Sequence, residues 1–513
     1  MQHPQSTFKT RRGLFPLIAS LFTLFFLFTL AGPASAIPTT PRTAIDPFDS
    51  GYTEVRVTNP NAPGVSYDHV STTSALGESR KVRAEATVST NGVIVEVGGA
   101  ANLNYLDVNS APSGQWILDV IWDGTDPATA NWQGDPEDID YTGLYDNGVG
   151  IDLVKANTAD EADGIYFYIV GWEGNDIDII FTVYTDENNW SQGIYPVRGE
   201  REIGPYEASL CFFEGCFDAD QGLNGPANFE NVGAITMRMI SIEAGADIRI
   251  NMIASGPSRD FGDLPDSYST TLDEDGPRHS RGNLFLGETV SSELDAREPL
   301  DSTGDGATDD GIVPVGTVDG RWVNGSNGGT VEVAWTSPFN DGRACLDGWI
   351  DWHYGVATSG TPNSFETTTG PVPGGGTATY ALADKHVVQG HLLSGSGALP
   401  FTETVTFTVP DNYFAATGGD PIDLASRWRI YPAEIDQLGN PFCPNGGLGV
   451  DGYTGYIING EVEDYIWGFQ PTSVALIGFQ ASTVALPWVV GVLVLTLLTG
   501  LLLVVRRRQT VTA

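Results

Sequence analysis

The sequence predicts an all-β fold: two β-sandwich domains, jelly-roll-like in topology, followed by one C-terminal transmembrane helix. The first indication is composition, because the 513 residues include 62 glycines and 31 prolines, which is typical of turn-rich β domains. The second is that apolar and polar residues alternate in several stretches, as they do in strands with one buried face. The third is a long uncharged apolar stretch near the C terminus, where a membrane span is expected.

The net charge of −40 at pH 7 bears on possible partners. All 65 acidic residues lie between a basic cluster near the N terminus and another near the C terminus. An acidic surface of this kind repels nucleic acid and anionic lipid and attracts divalent cations. The composition therefore predicts no nucleic-acid partner. The solubility that an exported protein needs is an equally good explanation of the same acidity.

Residues 1–36 have the three parts of a secretory signal peptide. A basic start at Lys9, Arg11 and Arg12 precedes a mainly apolar stretch, and the segment ends in the small-residue site Ala34-Ser35-Ala36. Retention of this segment as an N-terminal anchor is the alternative. We expect export, with cleavage after Ala36.

Residues 37–257 are expected to form the first β-sandwich. Two stretches, 176–183 and 246–252, alternate strictly between apolar and polar residues, which predicts half-buried antiparallel strands. A third, 165–170, is apolar on both sides and predicts a central strand. The residues predicted to face inward are Ile177, Ile179, Phe181 and Val183 in the first stretch and Ile248, Ile250 and Met252 in the second.

Tryptophans in this domain offer a possible glycan-binding surface. Jelly-roll domains bind glycans through exposed aromatic side chains, whereas most tryptophans in a β-sandwich pack in the core or in turns. Exposure on one face would favour glycan binding, and burial would favour packing. The candidates are Trp116, Trp122, Trp132, Trp172 and Trp190.

Several ordered motifs in residues 258–469 resemble the GEVED-domain family. They are Asp260–Tyr268, Gly276–His279, Leu286-Gly287, Asp347–Trp352, Thr404–Pro410 and the namesake Gly460–Tyr465. The resemblance implies a β-rich module of secreted or surface bacterial proteins. Such modules usually occur in multidomain chains and have no generally assigned enzymatic activity.

A glycine-punctuated acidic loop is the best metal candidate. Asp301, Asp305, Asp309 and Asp310 lie close together in sequence, and carboxylate oxygens are the ligands that Ca²⁺ prefers. A bound cation would also relieve the repulsion among four carboxylates. The spacing is not that of an EF-hand loop, and a solvated acidic connector is the alternative. Calcium is therefore the one cofactor that we expect.

Four cysteines in an exported chain suggest two disulfides, with three possible pairings. Pairing within each domain needs no contact between domains, so we predict Cys211–Cys216 and Cys345–Cys443. In a reducing compartment all four would remain thiols.

The C-terminal end reads as a membrane anchor. A connector at 470–486 leads into residues 487–505, which carry no charge and would span about 28 Å as a helix. The tail 506–513 opens with three arginines and should stay cytoplasmic. We therefore expect a single-pass cell-membrane protein with its ectodomain outside. Processing at this end would release or re-anchor it.

The sequence supports a structural or adhesive role outside the cell rather than a reaction. We expect the partner to be an extracellular or cell-surface polysaccharide or protein. The first alternative is a carbohydrate-binding module. The second, a secreted glycoside hydrolase, needs two carboxylates in one cleft, about 5–5.5 Å apart for a retaining mechanism and wider for an inverting one. No nucleophile motif or zinc-ligand spacing stands out, so we predict no enzymatic activity.

Overall fold

A computed structural model describes residues 43–469, except 58–63, 88–91, 99–103, 126–131, 159–160, 174, 201–204, 214, 297–309, 318–321, 324, 353–363, 372–376 and 411–421. The predicted signal peptide, connector, transmembrane helix and basic tail lie outside the described residues. Among the residues that are described, no helix is long and apolar enough to cross a membrane. The described chain is all-β, as predicted, and its one α-helix (α1) is the single turn Leu382–Lys385.

The described part of the N-terminal region, residues 43–256, contains fourteen strands. They are β1 Thr43–Asp46, β2 Thr53–Val57, β3 Gly64–Ser71, β4 Ser79–Ala86, β5 Val93–Val97, β6 Leu106–Ser110, β7 Trp116–Trp122, β8 Gly164–Glu173, β9 Ile177–Asp186, β10 Asn189–Val197, β11 Tyr206–Cys211, β12 Asp220–Gln221, β13 Ala234–Ser241 and β14 Asp247–Gly256. A short 3₁₀ turn, Leu76–Glu78, precedes β4.

These strands form two seven-stranded antiparallel sheets. Sheet I has the order β11-β8-β14-β6-β5-β2, with β1 also paired to β14, and sheet II has the order β12-β10-β9-β13-β7-β4-β3. One apolar core lies between them. The Phe167 ring of sheet I is 5.4 Å from the Phe181 ring and 5.2 Å from the Tyr195 ring of sheet II, centroid to centroid. The region is therefore a β-sandwich.

The predicted alternation holds in β9, where Ile177, Ile179, Phe181 and Val183 are all fully buried in this core. It fails at one residue of β14. The pairing of β14 with β8 shifts between Ile250 and Ile253, so Ile253 takes the inward position predicted for Met252. Met252 instead packs against Tyr166 and Ala254 outside the main core. A bulge of this kind reverses the inward and outward residues beyond it.

Within the described residues of the C-terminal region, 259–469, there are fifteen strands. They are β15 Arg259–Phe261, β16 Arg278–Ser280, β17 Phe285–Leu286, β18 Ile312–Pro314, β19 Gly325–Thr336, β20 Ala344–Asp351, β21 Thr368–Pro371, β22 Thr377–Tyr380, β23 His386–Leu393, β24 Phe401–Val409, β25 Ile422–Tyr431, β26 Glu434–Ile435, β27 Pro441–Phe442, β28 Tyr456–Ile457 and β29 Glu461–Phe469. Three 3₁₀ turns are also present: Asp266–Tyr268, Leu272–Glu274 and Pro444–Gly446.

Two four-stranded sheets enclose the main core of this region. Sheet III has the order β17-β19-β18 with β24 paired to β19, and sheet IV has the order β23-β20-β25-β29. Val333 and Phe407 of sheet III and Leu346 and Trp428 of sheet IV belong to one apolar cluster. The opposite face of sheet IV is covered by β15, β16, β28 and the turns between them. That covered face is lined with charged side chains, which are described below.

Buried polar contacts join the two regions. The Asp163 carboxylate, just before β8, accepts hydrogen bonds from Arg259 Nε at 2.6 Å and from the Ser258 backbone N–H at 2.7 Å, and all three residues are buried. Arg281 pairs with Glu207 in the same interface. Because each ion would be costly to bury alone, these pairs favour one relative arrangement of the two regions.

Both predicted disulfides are present. Cys211–Cys216 closes a short loop after β11, and Cys345–Cys443 links β20 to the segment after β27, with 98 residues of sequence separation. The Tyr456 hydroxyl of the C-terminal region lies 2.8 Å from Cys216 Sγ, so the first disulfide also adjoins the contact between the regions.

Candidate functional site

The outer face of sheet II, turned away from the core, carries the most varied set of accessible side chains. Strand register places Tyr67, Arg83, Asp119, Arg238 and Ile180 side by side in one row across β3, β4, β7, β13 and β9. Tyr67 is exposed, and the other side chains of this row range from half-buried to nearly buried. We call this face the sheet II outer face.

An arginine–aspartate–arginine group lies at its centre. Asp119 accepts from Arg83 Nη1 at 2.9 Å and from Arg238 Nε at 2.6 Å, and Arg83 also donates to Glu85 at 2.6 Å. Asp119 is nearly buried, whereas the Arg238 side chain is 44% exposed. The described residues supply no acceptor for the two terminal nitrogens of Arg238. Those nitrogens can therefore donate to a ligand.

Three aromatic rings form a cluster at one corner of this face. The Tyr184 ring lies 5.3 Å from that of Tyr141 and 6.2 Å from that of Trp190, centroid to centroid, and all three residues are half-buried. Gln192 lies two residues after Trp190 on β10, and its amide donates to Thr182 at 3.1 Å. The Tyr184 ring is tilted by 57° against that of Tyr141 and by 46° against that of Trp190, so the three rings line a concave corner rather than a plane. Apolar ring faces beside amide and hydroxyl groups suit a sugar ring, which has apolar C–H faces and polar edges.

Residues 132–145 run along the strand ends that border the outer face. The Trp132 ring is 5.6 Å from that of Tyr67 on β3 in an edge-on contact, and Tyr145 Oη donates to the Thr185 carbonyl near the end of β9 at 2.7 Å. Between these points, Lys81 Nζ on β4 donates to the Asp138 carbonyl at 3.2 Å. This segment therefore forms a rim along one side of the face.

The tryptophans named as glycan-binding candidates are mostly packing residues. Trp116, Trp122, Trp132 and Trp172 are all at most 5% exposed, and their indole N–H groups are bound to protein acceptors. The interpretation of these four as an exposed aromatic surface is therefore wrong. Trp190 is the exception, because it is half-buried and belongs to the aromatic cluster.

The motif Gly460–Tyr465 has a different role: its acidic side chains bind other parts of the C-terminal region. Asp464 accepts from Arg427 and from the Leu264 backbone N–H at 2.9 Å. A Cβ atom at residue 262 would lie 2.5 Å from the Asp464 carboxylate, which explains the glycine there. On the opposite face of β29, Glu461 accepts from the Leu286 backbone N–H.

Glu463 continues that second face. It accepts from the Gly311 backbone N–H at 3.0 Å, and Tyr465 Oη accepts from the Ile312 backbone N–H at 3.1 Å. Together the motif's side chains bind the end of β17, the start of β18 and the turn after β15 to the closing strand. Because Glu461, Glu463 and Asp464 are nearly buried, the motif is part of the structure of this region rather than a surface for ligands.

The aspartates of β20 are also occupied by protein partners. Asp347 is 2.6 Å from His386 Nε2 and accepts from Tyr431 Oη at 2.7 Å. Asp351 accepts from Tyr268 Oη at 2.8 Å and pairs with Lys385 Nζ at 3.0 Å.

Burial lowers the pKa of Lys385, and the neighbouring Asp351 opposes that shift. Since Asp347, Asp351, Lys385 and His386 are all at most 4% exposed, we interpret this group as a buried polar network that stabilises sheet IV.

The predicted calcium loop is only partly described. Asp301, Asp305 and Asp309 lie outside the described residues, and Asp310 is exposed, two residues before the start of β18. Although the residue is exposed, partial desolvation of its carboxyl group beside the sandwich raises the pKa of Asp310. No cluster of three or more His, Cys, Asp or Glu ligands with metal-binding geometry occurs within the part of the chain that is described. Calcium binding remains a prediction.

Sequence reasoning missed the central Arg83–Asp119–Arg238 group and Tyr141. The three charged residues lie far apart in sequence and meet only through the register of β4, β7 and β13. Tyr141 belongs to a loop without regular pattern. The alternation of apolar and polar residues in β9 does predict that Tyr184 faces outward. That prediction was the signal in the sequence that pointed to this site.

Comparison with known proteins gives no identity for this chain. No family model matches it, and no curated protein matches it. A similar solved structure, described as a structural analysis of an exo-beta-agarase, shares 12% identity at a TM-score of 0.18. The match covers 40% of this chain and 23% of that chain. A likeness of this extent carries no argument about function, and membership of the GEVED family stays a prediction.

Proposed function

We propose that this chain is a cell-surface adhesive protein that binds a polysaccharide through the sheet II outer face. The observation that carries the proposal is the Tyr141–Tyr184–Trp190 cluster, which places accessible aromatic rings on the same face as the donor groups of Arg238. Aromatic rings and hydrogen-bond donors together match the two kinds of surface that a sugar presents.

The C-terminal region serves as a support in this proposal. Its charged motifs are occupied by internal contacts, as Asp464 and Asp347 illustrate, and polar contacts hold it against the N-terminal region. The secretory signal and the 487–505 anchor predicted from the sequence would place the binding face outside the cell. No chemical step is required of any residue.

Polysaccharide binding tests the proposal directly. Full-length protein is screened against immobilised polysaccharides, once with calcium and once with chelator. We expect specific retention that falls by about tenfold or more in a Tyr184→Ala, Trp190→Ala variant, since removing aromatic contact area weakens binding by a kcal/mol or more.

Tyr52→Ala is the matched control, because Tyr52 is an exposed tyrosine beside β2 of sheet I. Equal binding by the wild type and the cluster variant would place the binding surface elsewhere.

A protein ligand is the second candidate, and a specific feature favours it. Four isoleucines that are at least partly exposed lie on the sheet II outer face around Arg238, and Ile194 is 41% exposed. Apolar side chains of this kind are common at protein interfaces. The residues are Ile117, Ile180, Ile194 and Ile240. This candidate is favoured if the chain is retained by an immobilised surface protein and by none of the polysaccharides. The Ile180→Asp, Ile194→Asp variant should then no longer be retained.

A further inference from the structure

We infer, on the basis of the proposed polysaccharide binding, that the ligand is an uncharged polysaccharide whose chain lies across the strands of sheet II. The inference rests on two properties of the sheet II outer face: the balance of its charges and the separation of its aromatic side chains.

Two exposed carboxylates lie near the aromatic cluster. Glu187 directly follows β9, the strand that carries Tyr184, and Glu137 lies in the rim segment four residues before Tyr141. Burial, together with these two carboxylates, raises the pKa of the Tyr141 hydroxyl. A carboxylate or sulfate group on a polymer would meet this charge directly, in a chain that already carries −40 overall. This corner of the face therefore disfavours a polyanion.

The two arginines at the centre of the face do not offset that charge. Arg83 is paired with both Asp119 and Glu85, Arg238 is paired with Asp119, and their two positive charges equal the two negative ones. The terminal nitrogens of Arg238 keep their hydrogens and can donate to sugar hydroxyls, which are neutral acceptors. The group thus offers hydrogen bonds without a net attraction for anions.

Distance across the sheet indicates the length of the ligand. Trp190 on β10 and the exposed Tyr67 on β3 are separated by five strand-to-strand steps in sheet II. At about 4.8 Å for each step, this amounts to roughly 24 Å across the strands, and a four-residue offset between their rows, Ile180 to Tyr184 on β9, adds roughly 13 Å along them. One sugar ring can contact only one of these side chains. A chain that crosses the strands obliquely can contact both.

The test compares polymers of different charge and length on immobilised full-length protein. The probes are uncharged glucan and mannan polymers, their monosaccharides and short oligosaccharides, a polyuronate and a sulfated polysaccharide, each at low and at high salt. We expect an uncharged polymer to bind with little salt dependence, and its monosaccharide to compete at least about tenfold more weakly.

Two variants test the two halves of the inference. Tyr67→Ala should weaken binding of the long polymer by several-fold while leaving a short oligosaccharide unaffected, and Tyr52→Ala should change neither. Glu137→Lys combined with Glu187→Lys should increase retention of the polyuronate.

If a polyanion binds most tightly and salt weakens that binding, the inference is wrong while the proposed function still holds. Equal competition by monosaccharide and polymer would also overturn it. Failure to bind any polysaccharide would instead refute the proposed function, and this inference with it.

Discussion

Arg427 and Asp464 form a two-bond ion pair between adjacent strands β25 and β29, with Nε–Oδ1 at 2.8 Å and Nη2–Oδ2 at 2.7 Å. Neither side chain is exposed to solvent. Arg427 also donates to the carbonyl groups of Tyr268 and Tyr453 at 3.1 and 3.0 Å. One guanidinium therefore connects the closing strand to two turns that cover sheet IV.

Removal of the Asp464 carboxylate should destabilise the C-terminal region strongly. Asp464→Ala leaves the Arg427 charge buried without its partner, so we expect the free energy of unfolding to fall by about 3–5 kcal/mol. Denaturant titration monitored by tryptophan fluorescence measures the change. Glu54→Ala is the control, because the Arg56–Glu54 pair is exposed and solvent screening leaves it little effect on stability. A similar small loss in both variants would contradict the assigned role.

The two disulfides should differ in their effect on stability. Cys345–Cys443 spans 98 residues and Cys211–Cys216 spans 5. Loop-closure entropy assigns about 4.7 kcal/mol to the longer loop and about 2 kcal/mol to the shorter. We therefore expect the Cys345→Ser, Cys443→Ser variant to unfold at lower denaturant concentration than the Cys211→Ser, Cys216→Ser variant. The reverse order would show that packing around Cys211 outweighs chain entropy.

Acid should weaken the C-terminal region through His279. Burial and the adjacent Arg429, whose Nε lies 3.0 Å from His279 Nε2, hold the pKa of this imidazole well below its usual value. The unfolded chain therefore binds a proton near pH 6.5 that the folded chain does not bind. This contribution to the free energy of unfolding is complete above that pH. Below it, the free energy of unfolding falls by up to about 1.4 kcal/mol per pH unit.

Urea titrations at two pH values measure this loss: about pH 7.5, which is above the unfolded histidine pKa near 6.5, and about pH 5.5, which is below it. His279→Gln retains an acceptor for Arg429 and removes the titration, so its stability should change less between the two pH values than that of the wild type. An unchanged pH dependence in the variant would assign the acid sensitivity to other groups.

Calcium should stabilise the protein if the predicted acidic loop binds it. At a calcium concentration about 100 times Kd, the gain would be about 2.7 kcal/mol, visible as a higher melting temperature. Asp305→Ala combined with Asp309→Ala should abolish most of this rise. Asp273→Ala combined with Glu274→Ala removes two exposed carboxylates from a 3₁₀ turn and should retain it. Identical melting in calcium and in chelator would reject calcium binding.

The sequence predicted features that depend on local pattern. Period-two alternation placed Ile177 and Phe181 in the core because a regular strand has its side chains on alternate faces. It misplaced Met252 because a bulge adds one residue that no local signal marks. Pairing within each half of the chain was enough to predict both disulfides.

Contacts between distant residues could not be predicted in this way. Glu461 and Glu463 resemble surface acids in a single sequence, yet they bind backbone N–H groups 175 and 152 residues away. His386 has no apparent partner in the sequence, and its partner Asp347 lies on the neighbouring strand β20. The candidate site could not be predicted for the same reason: Arg83 and Arg238 meet at Asp119 only once three strands are in register.

The direction of β29 determines how the C-terminal region carries mechanical load. Phe469 pairs with Ile422 at one end of sheet IV, whereas Asn459, just before the other end, contacts Asn283, which in turn donates to the Arg198 carbonyl of the N-terminal region. Tension between the N-terminal region and Phe469 therefore acts along the strand. The nine residue pairs that join β29 to β25 are then loaded in shear together, rather than opened one after another from an end.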